Sequence, residues 1–94
     1  MKHYVYILIT KYNHKYYSYV GYTTNLIKRL DLHNKSKGAK YTKGKKWIII
    51  YKKIFKNKSQ AMKSEYKLKK DRKKRNKIKF NFIMKNENIN FTSI

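Results

Sequence analysis

The sequence predicts an α+β fold, a small three-stranded antiparallel sheet flanked by helices in the order β-β-α-β-α-α. Three observations carry that expectation. Residues 4–9, 16–22 and 47–55 are dense in tyrosine, isoleucine and valine, the composition of strands. Apolar residues recur at helical spacing at Leu26, Ile27 and Leu30, and again at Ala61, Met62 and Leu68. The chain has 94 residues, no proline, no repeat and no linker, so a single domain over 1–85 and a tail at 86–94 are expected.

Each element has a local reason. Residues 4–9 contain nothing charged, which predicts a strand buried on both faces. Residues 11–15 carry Asn13 and His14 and form a polar turn, so 4–22 reads as a β-hairpin. Gly21, one of three glycines, is expected at the strand-to-helix junction, where the backbone turns or approaches something closely. Thr23, Thr24 and Asn25 offer cap oxygens to a helix that ends near residue 34. Residues 35–46 hold six lysines, Gly38 and Gly44, and read as a loop with one helical turn at 39–41. After the third strand, Ser59 is the expected cap of a helix to residue 70, and Asp71 opens a last helix to residue 85.

Composition narrows the function. Lysine and arginine number 26 against 4 acids, a formal charge of +22 and a pI near 10.2, which makes a polyanion the first partner to consider. Lysine, isoleucine, tyrosine and asparagine make up more than half of the chain, and all are read from A/T-rich codons. The rare residues are therefore the informative ones: three arginines, three histidines and four acids. Without cysteine there is no disulfide, thiolate metal site or thiol nucleophile. No apolar run approaches the ~20 residues of a membrane span, and 4–9 is too short for a signal segment, so a soluble intracellular protein with no membrane partner is expected. Walker, G-x-S-x-G and H-E-x-x-H motifs are missing, as is any carboxylate cluster for two metals.

Three constellations carry chemistry. Glu65 lies three residues after Met62 and three before Leu68, inside a stripe that faces the core. A carboxylate there needs a partner, either a lysine such as Lys69 or a hard cation completed by substrate phosphate and water. Arg29 is the only arginine in the first 71 residues and shares a helix face with His33 four residues on. A guanidinium suits a phosphate and its developing charge, and an imidazole exchanges protons near neutrality. A solvated face with Arg29 loosely near Asp31 is the plainer reading of that pair. Tyr4 and Tyr6 share one face of their strand, and Tyr17 and Tyr19 share one face of theirs. Such aromatics are ordinarily core, yet a phenol beside cations can serve as a base.

In sum these residues resemble a known pattern. Tyr4-Val5-Tyr6, a hairpin, then Tyr19-Val20-Gly21 is similar to the paired signature of the GIY-YIG nuclease superfamily. Arg29 ten residues after Tyr19, His33 four later, and a helical Glu65 after a third strand extend the match. The stretches 38–42 and 59–70 resemble its short stand-alone branch, and the likeness covers residues 3–83. The resemblance implies an endonuclease cutting DNA, double-stranded or branched, with one divalent ion, Mg²⁺ or Mn²⁺. On it, Tyr6 and Tyr19 share the roles of general base and hydrogen-bonding assistant, in either order. Arg29 binds the scissile phosphate, Glu65 holds the metal, and His33 and Tyr41 finish the pocket. Lys37, Lys40, Lys43, Lys45 and Lys46 flank that pocket and Lys69 begins a second basic strip, so these six are the expected nucleic-acid contacts. The alternative is a non-catalytic basic nucleic-acid-binding module that retains the fold.

Overall fold

A computed structural model of the chain describes residues 1–86. The sheet is built from β1 (His3–Tyr12), β2 (Lys15–Thr23) and β3 (Ile48–Phe55), all antiparallel in the order β2-β1-β3. Central β1 has no polar edge, so Val5 through Thr10 are all buried, as its uncharged run predicts. The hairpin turn is tighter than expected. Pairing runs to Tyr12↔Lys15, leaving only Asn13 and His14 between the strands, both at positive φ (51° and 66°). That is the I′ pattern, whose twist matches the strands. Lys11 and Lys15 are therefore strand residues. A bulge at Ile50 shifts the β1–β3 register between Ile7↔Tyr51 and Leu8↔Ile49.

Helices cover both faces. Helix α1 (Leu26–Asn34) is capped by Asn25, whose side chain accepts the Lys28 N–H at 3.1 Å. Helix α2 (Lys58–Lys70) is capped by Asn57 and not by Ser59. Asn57 lies outside the helix in extended conformation, where its oxygen reaches the Gln60 N–H, whereas Ser59 is already inside the first turn. Asp71 caps α3 (Arg72–Lys85) as expected. Asn86, assigned from sequence to the tail, closes α3 through its N–H to the Phe82 and Ile83 carbonyls, and 87–94 lie outside the described residues. Among the described residues, no helix is long and apolar enough to cross a membrane.

Strand alternation splits the core into two layers. Val5 and Ile7 pack with Val20, Ala61 and Leu68 under α2. Tyr6 and Leu8 pack with Trp47, Tyr19, Leu26 and Leu30 on the α1 side. The loop after α1 is held by Asn34 and Trp47. Asn34 Oδ1 accepts the Trp47 N–H at 2.6 Å, and its Nδ2 donates to the Trp47 carbonyl at 3.1 Å. The Trp47 indole N–H donates to the Thr42 carbonyl at 3.0 Å, closing the single 3-10 turn Lys40–Thr42 over the sheet.

Asn34 thus satisfies both backbone groups of a residue with no exposed surface. Asn34→Ala is expected to destabilise the fold by roughly 2–4 kcal/mol, because two buried polar groups lose their partners. Asn57→Ala, which loses only an exposed cap, is expected to cost about 1 kcal/mol. Urea unfolding of both variants checks the ranking, and equal losses contradict it.

Candidate active site

Tyr6 is the centre of the cluster. It sits mid-strand on β1 directly opposite Gly21 of β2, and its phenol leans over that residue. A methyl group at position 21 would overlap the Tyr6 hydroxyl and touch the Tyr19 ring at 3.0 Å. The glycine is needed for this close approach inside the strand, not for a turn. The ring is 1% exposed, so its hydroxyl has to find partners inside the protein.

It finds His33. The Tyr6 hydroxyl lies 2.9 Å from His33 Nε2, and His33 Nδ1 lies 2.8 Å from Thr42 Oγ1. Thr42 spends its own proton on the Ala39 carbonyl at 2.9 Å, so toward His33 it can only accept. Nδ1 therefore carries the imidazole proton, Nε2 is left with a lone pair, and Tyr6 donates to it. The direction of every bond in the chain Tyr6–His33–Thr42–Ala39 follows from the last one. Gly38 permits the packing, since a Cβ there would meet His33 Nδ1 at 2.5 Å.

Electrostatics reinforces that assignment. Burial, with the nearby Arg29 charge second, lowers the His33 pKa from 6.5 to about 4, so the ring is neutral across the physiological range. Burial pushes the Tyr6 phenol up from 10 to about 12. Arg29 beside the hydroxyl works against that rise, while Tyr19 and, least, Glu65 add to it. Arg29 is half-buried on α1, and its Nε is buried without a hydrogen-bond partner. Asp31 turns away to pair with Lys35 at 2.9 Å, and no carboxylate among the described residues neutralises the guanidinium. Such an uncompensated donor fork suits an anionic oxygen.

The remaining residues form the rim. Tyr19 lies between His33 and Tyr41, with ring centroids 5.1 and 6.1 Å away, the latter stacked. Tyr41 is half exposed, rests on Trp47, and has its phenol pKa raised by burial and by Tyr17. Glu65 on α2 is half-buried and pairs loosely with Lys69, 3.8 Å away. Among the described residues no three His, Asp or Glu side chains converge, so the donors do not suit zinc. A lone carboxylate fits Mg²⁺ or Mn²⁺, which complete their shells with water and phosphate oxygen.

The structure brings Tyr6, Tyr19, Arg29, His33 and Tyr41 together, and sets Glu65 close enough for its charge to act on Tyr6. It also buries His33 completely, with its two ring nitrogens bonded to Tyr6 and Thr42. Of the expected nucleic-acid contacts, Lys37, Lys40 and Lys43 are exposed. Lys45 lies over the Tyr12 ring at 5.6 Å, Lys46 Nζ donates to the Asn34 carbonyl at 2.9 Å, and Lys69 faces Glu65. Sequence reasoning missed Thr42, Gly38 and Asn34. The first two lie in the quoted stretch 38–42, so the signal was there, but their contacts cross from loop to helix.

The His33 shift has a pH signature. The unfolded ring binds a proton below about 6.5 and the folded ring only below about 4, so stability falls as pH drops through that window. The loss at its foot is up to about 3 kcal/mol. Urea unfolding at several pH values checks it: a wild-type slope equal to that of His33→Gln contradicts the shift.

The family model for the GIY-YIG catalytic domain matches residues 2–79. A UPF0213 protein of Staphylococcus haemolyticus is 48% identical over 69 residues, covering 72% of this chain and 80% of that one. A UPF0213 protein of Pediococcus pentosaceus is 44% identical over 77 residues, covering 81% and 77%. The solution NMR structure of the UPF0213 protein BH0048 from Bacillus halodurans is 36% identical, covers 83% of this chain and 82% of its own, and superposes with a TM-score of 0.45. The chain belongs to the GIY-YIG family, a family of nuclease type.

Proposed function

We propose that this protein is a metal-dependent endonuclease that hydrolyses phosphodiester bonds in DNA. The observation that carries the reading is the Tyr6 hydroxyl donating to a neutral, tautomer-locked His33 beside an Arg29 guanidinium that no carboxylate among the described residues neutralises. Tyr6 is the general base of the reading. Its oxygen takes a proton from the attacking water as its own passes along the 2.9 Å bond to His33 Nε2. Arg29 holds the scissile phosphate and the charge that develops on it. A phosphodiester on Arg29 offsets the positive charge that helps depress the His33 pKa, so binding of substrate itself makes Nε2 a better proton acceptor. Tyr19 and Tyr41 border the site and fix the Tyr6 ring. Glu65 is the residue that would hold Mg²⁺ or Mn²⁺, which when bound supplies Lewis-acid polarisation of the phosphate. Exposed Lys37, Lys40 and Lys43 supply sequence-independent attraction for the backbone.

The test is cleavage of plasmid and branched DNA by the purified protein with Mg²⁺ or Mn²⁺. Wild type should nick the substrate. Arg29→Ala and Glu65→Ala should each lose about 10²–10³-fold in rate while binding DNA within about threefold of wild type. Salt-sensitive binding with no cleavage by wild type in any metal overturns the catalytic reading and leaves a binding module.

A further inference from the structure

On the other face of the sheet, away from the Tyr6 cluster, β3, α2 and the start of α3 enclose a cleft of about 410 Å³. Its floor follows from strand alternation, which puts Tyr51, Lys53 and Phe55 on one face of β3. Its wall follows from helical spacing, which puts Lys63 and Lys67 on one face of α2, with Lys74 of α3 closing the end. The two rings are flanked by cations: Lys74 Nζ lies 5.8 Å from the Tyr51 centroid and Lys53 Nζ 5.4 Å from that of Phe55. The lone acid of the cleft, Asp71, is occupied as the cap of α3, accepting the Lys74 N–H at 3.0 Å. Four ammonium groups therefore surround two half-buried aromatic rings, against the single carboxylate of Asp71.

We infer that this cleft binds single-stranded nucleic acid, with an unpaired base on the Tyr51–Phe55 floor and flanking phosphates on Lys63 and Lys67. A polyanion without bases satisfies only the lysines, and a duplex keeps its bases stacked within itself, so the combination of ring and cation selects an unpaired strand. The cleft is large enough for a nucleotide, within the range of about 300–1,000 Å³ for ligand pockets. It shares no residue with the Tyr6 cluster, so the inference goes beyond the cleavage reading and stands whether or not the protein cuts.

The experiment is fluorescence anisotropy of the full chain with oligothymidylate of about twelve nucleotides, a typical single-strand site. An abasic strand and a duplex of equal length are run beside it. Lys63→Gln/Lys67→Gln is compared with Lys2→Gln/Lys15→Gln, a charge-matched pair on the exposed amino-terminal and hairpin surface. The cleft pair should weaken oligothymidylate binding tenfold or more and reduce its log–log salt slope by about 1.4, the share of two single-strand phosphates. The control pair should weaken binding less than threefold, and the abasic strand should bind wild type at least fivefold more weakly than oligothymidylate. Equal effects of the two pairs, or equal affinity for strands with and without bases, overturn the proposal.

Discussion

The architecture of the site depends on a single proton. Thr42 gives its hydroxyl hydrogen to the Ala39 carbonyl, and that gift fixes the rest: His33 must donate from Nδ1, its Nε2 must accept, and Tyr6 must donate to it. Reversing one of these bonds while the others stay leaves a buried polar atom facing another of the same kind, in an interior where such a clash is expensive. A phenol in the middle of a central strand is thereby held with its oxygen aimed at the one ring that can take its proton. The sheet, the loop and the first helix are each needed, because the chain of bonds begins on β1, passes through α1 and ends in the 3-10 turn.

Packing serves this arrangement on every side. Gly21 leaves space for the Tyr6 phenol and Gly38 for the His33 imidazole, so two of the three glycines exist for close approach. The third, Gly44, faces open space and instead adopts a φ of +75°, which suits a residue without a side chain. Asn34 and Trp47 pin the loop that carries Thr42, and Tyr41 on the same turn stacks over Tyr19. In a chain so rich in lysine, these neutral contacts set the geometry, while the charges on Arg29 and Glu65 act on it from the side.

Much of this was legible in the residues. The uncharged run of β1, the Asn25 and Asp71 caps and the isoleucine-dense β3 follow from local chemistry, and the structure contains each of them. The scarcity of arginine singled out Arg29, and the helical stripe singled out Glu65. The hairpin was tighter than expected because a two-residue turn needs positive φ at His14, which composition does not announce. Ser59 lost the α2 cap to Asn57, a choice decided by backbone geometry two residues away. His33 looked like a group that meets substrate, and its complete burial behind Tyr6 was hidden because the contacts of Thr42 and Gly38 join a loop to a helix. Spacing along a chain specifies faces of single elements, whereas the relay is a property of three elements at once.

The most direct measurement is the tautomer of His33, read from the side-chain ¹⁵N shifts of labelled protein across pH 5 to 8. The predicted pattern is a protonated Nδ1 with an unprotonated, hydrogen-bond-accepting Nε2 that stays neutral over the whole range, as a pKa of about 4 requires. An imidazole carrying its proton on Nε2, or one that titrates near 6.5, would mean that Tyr6 is not donating to His33 and that the relay does not exist.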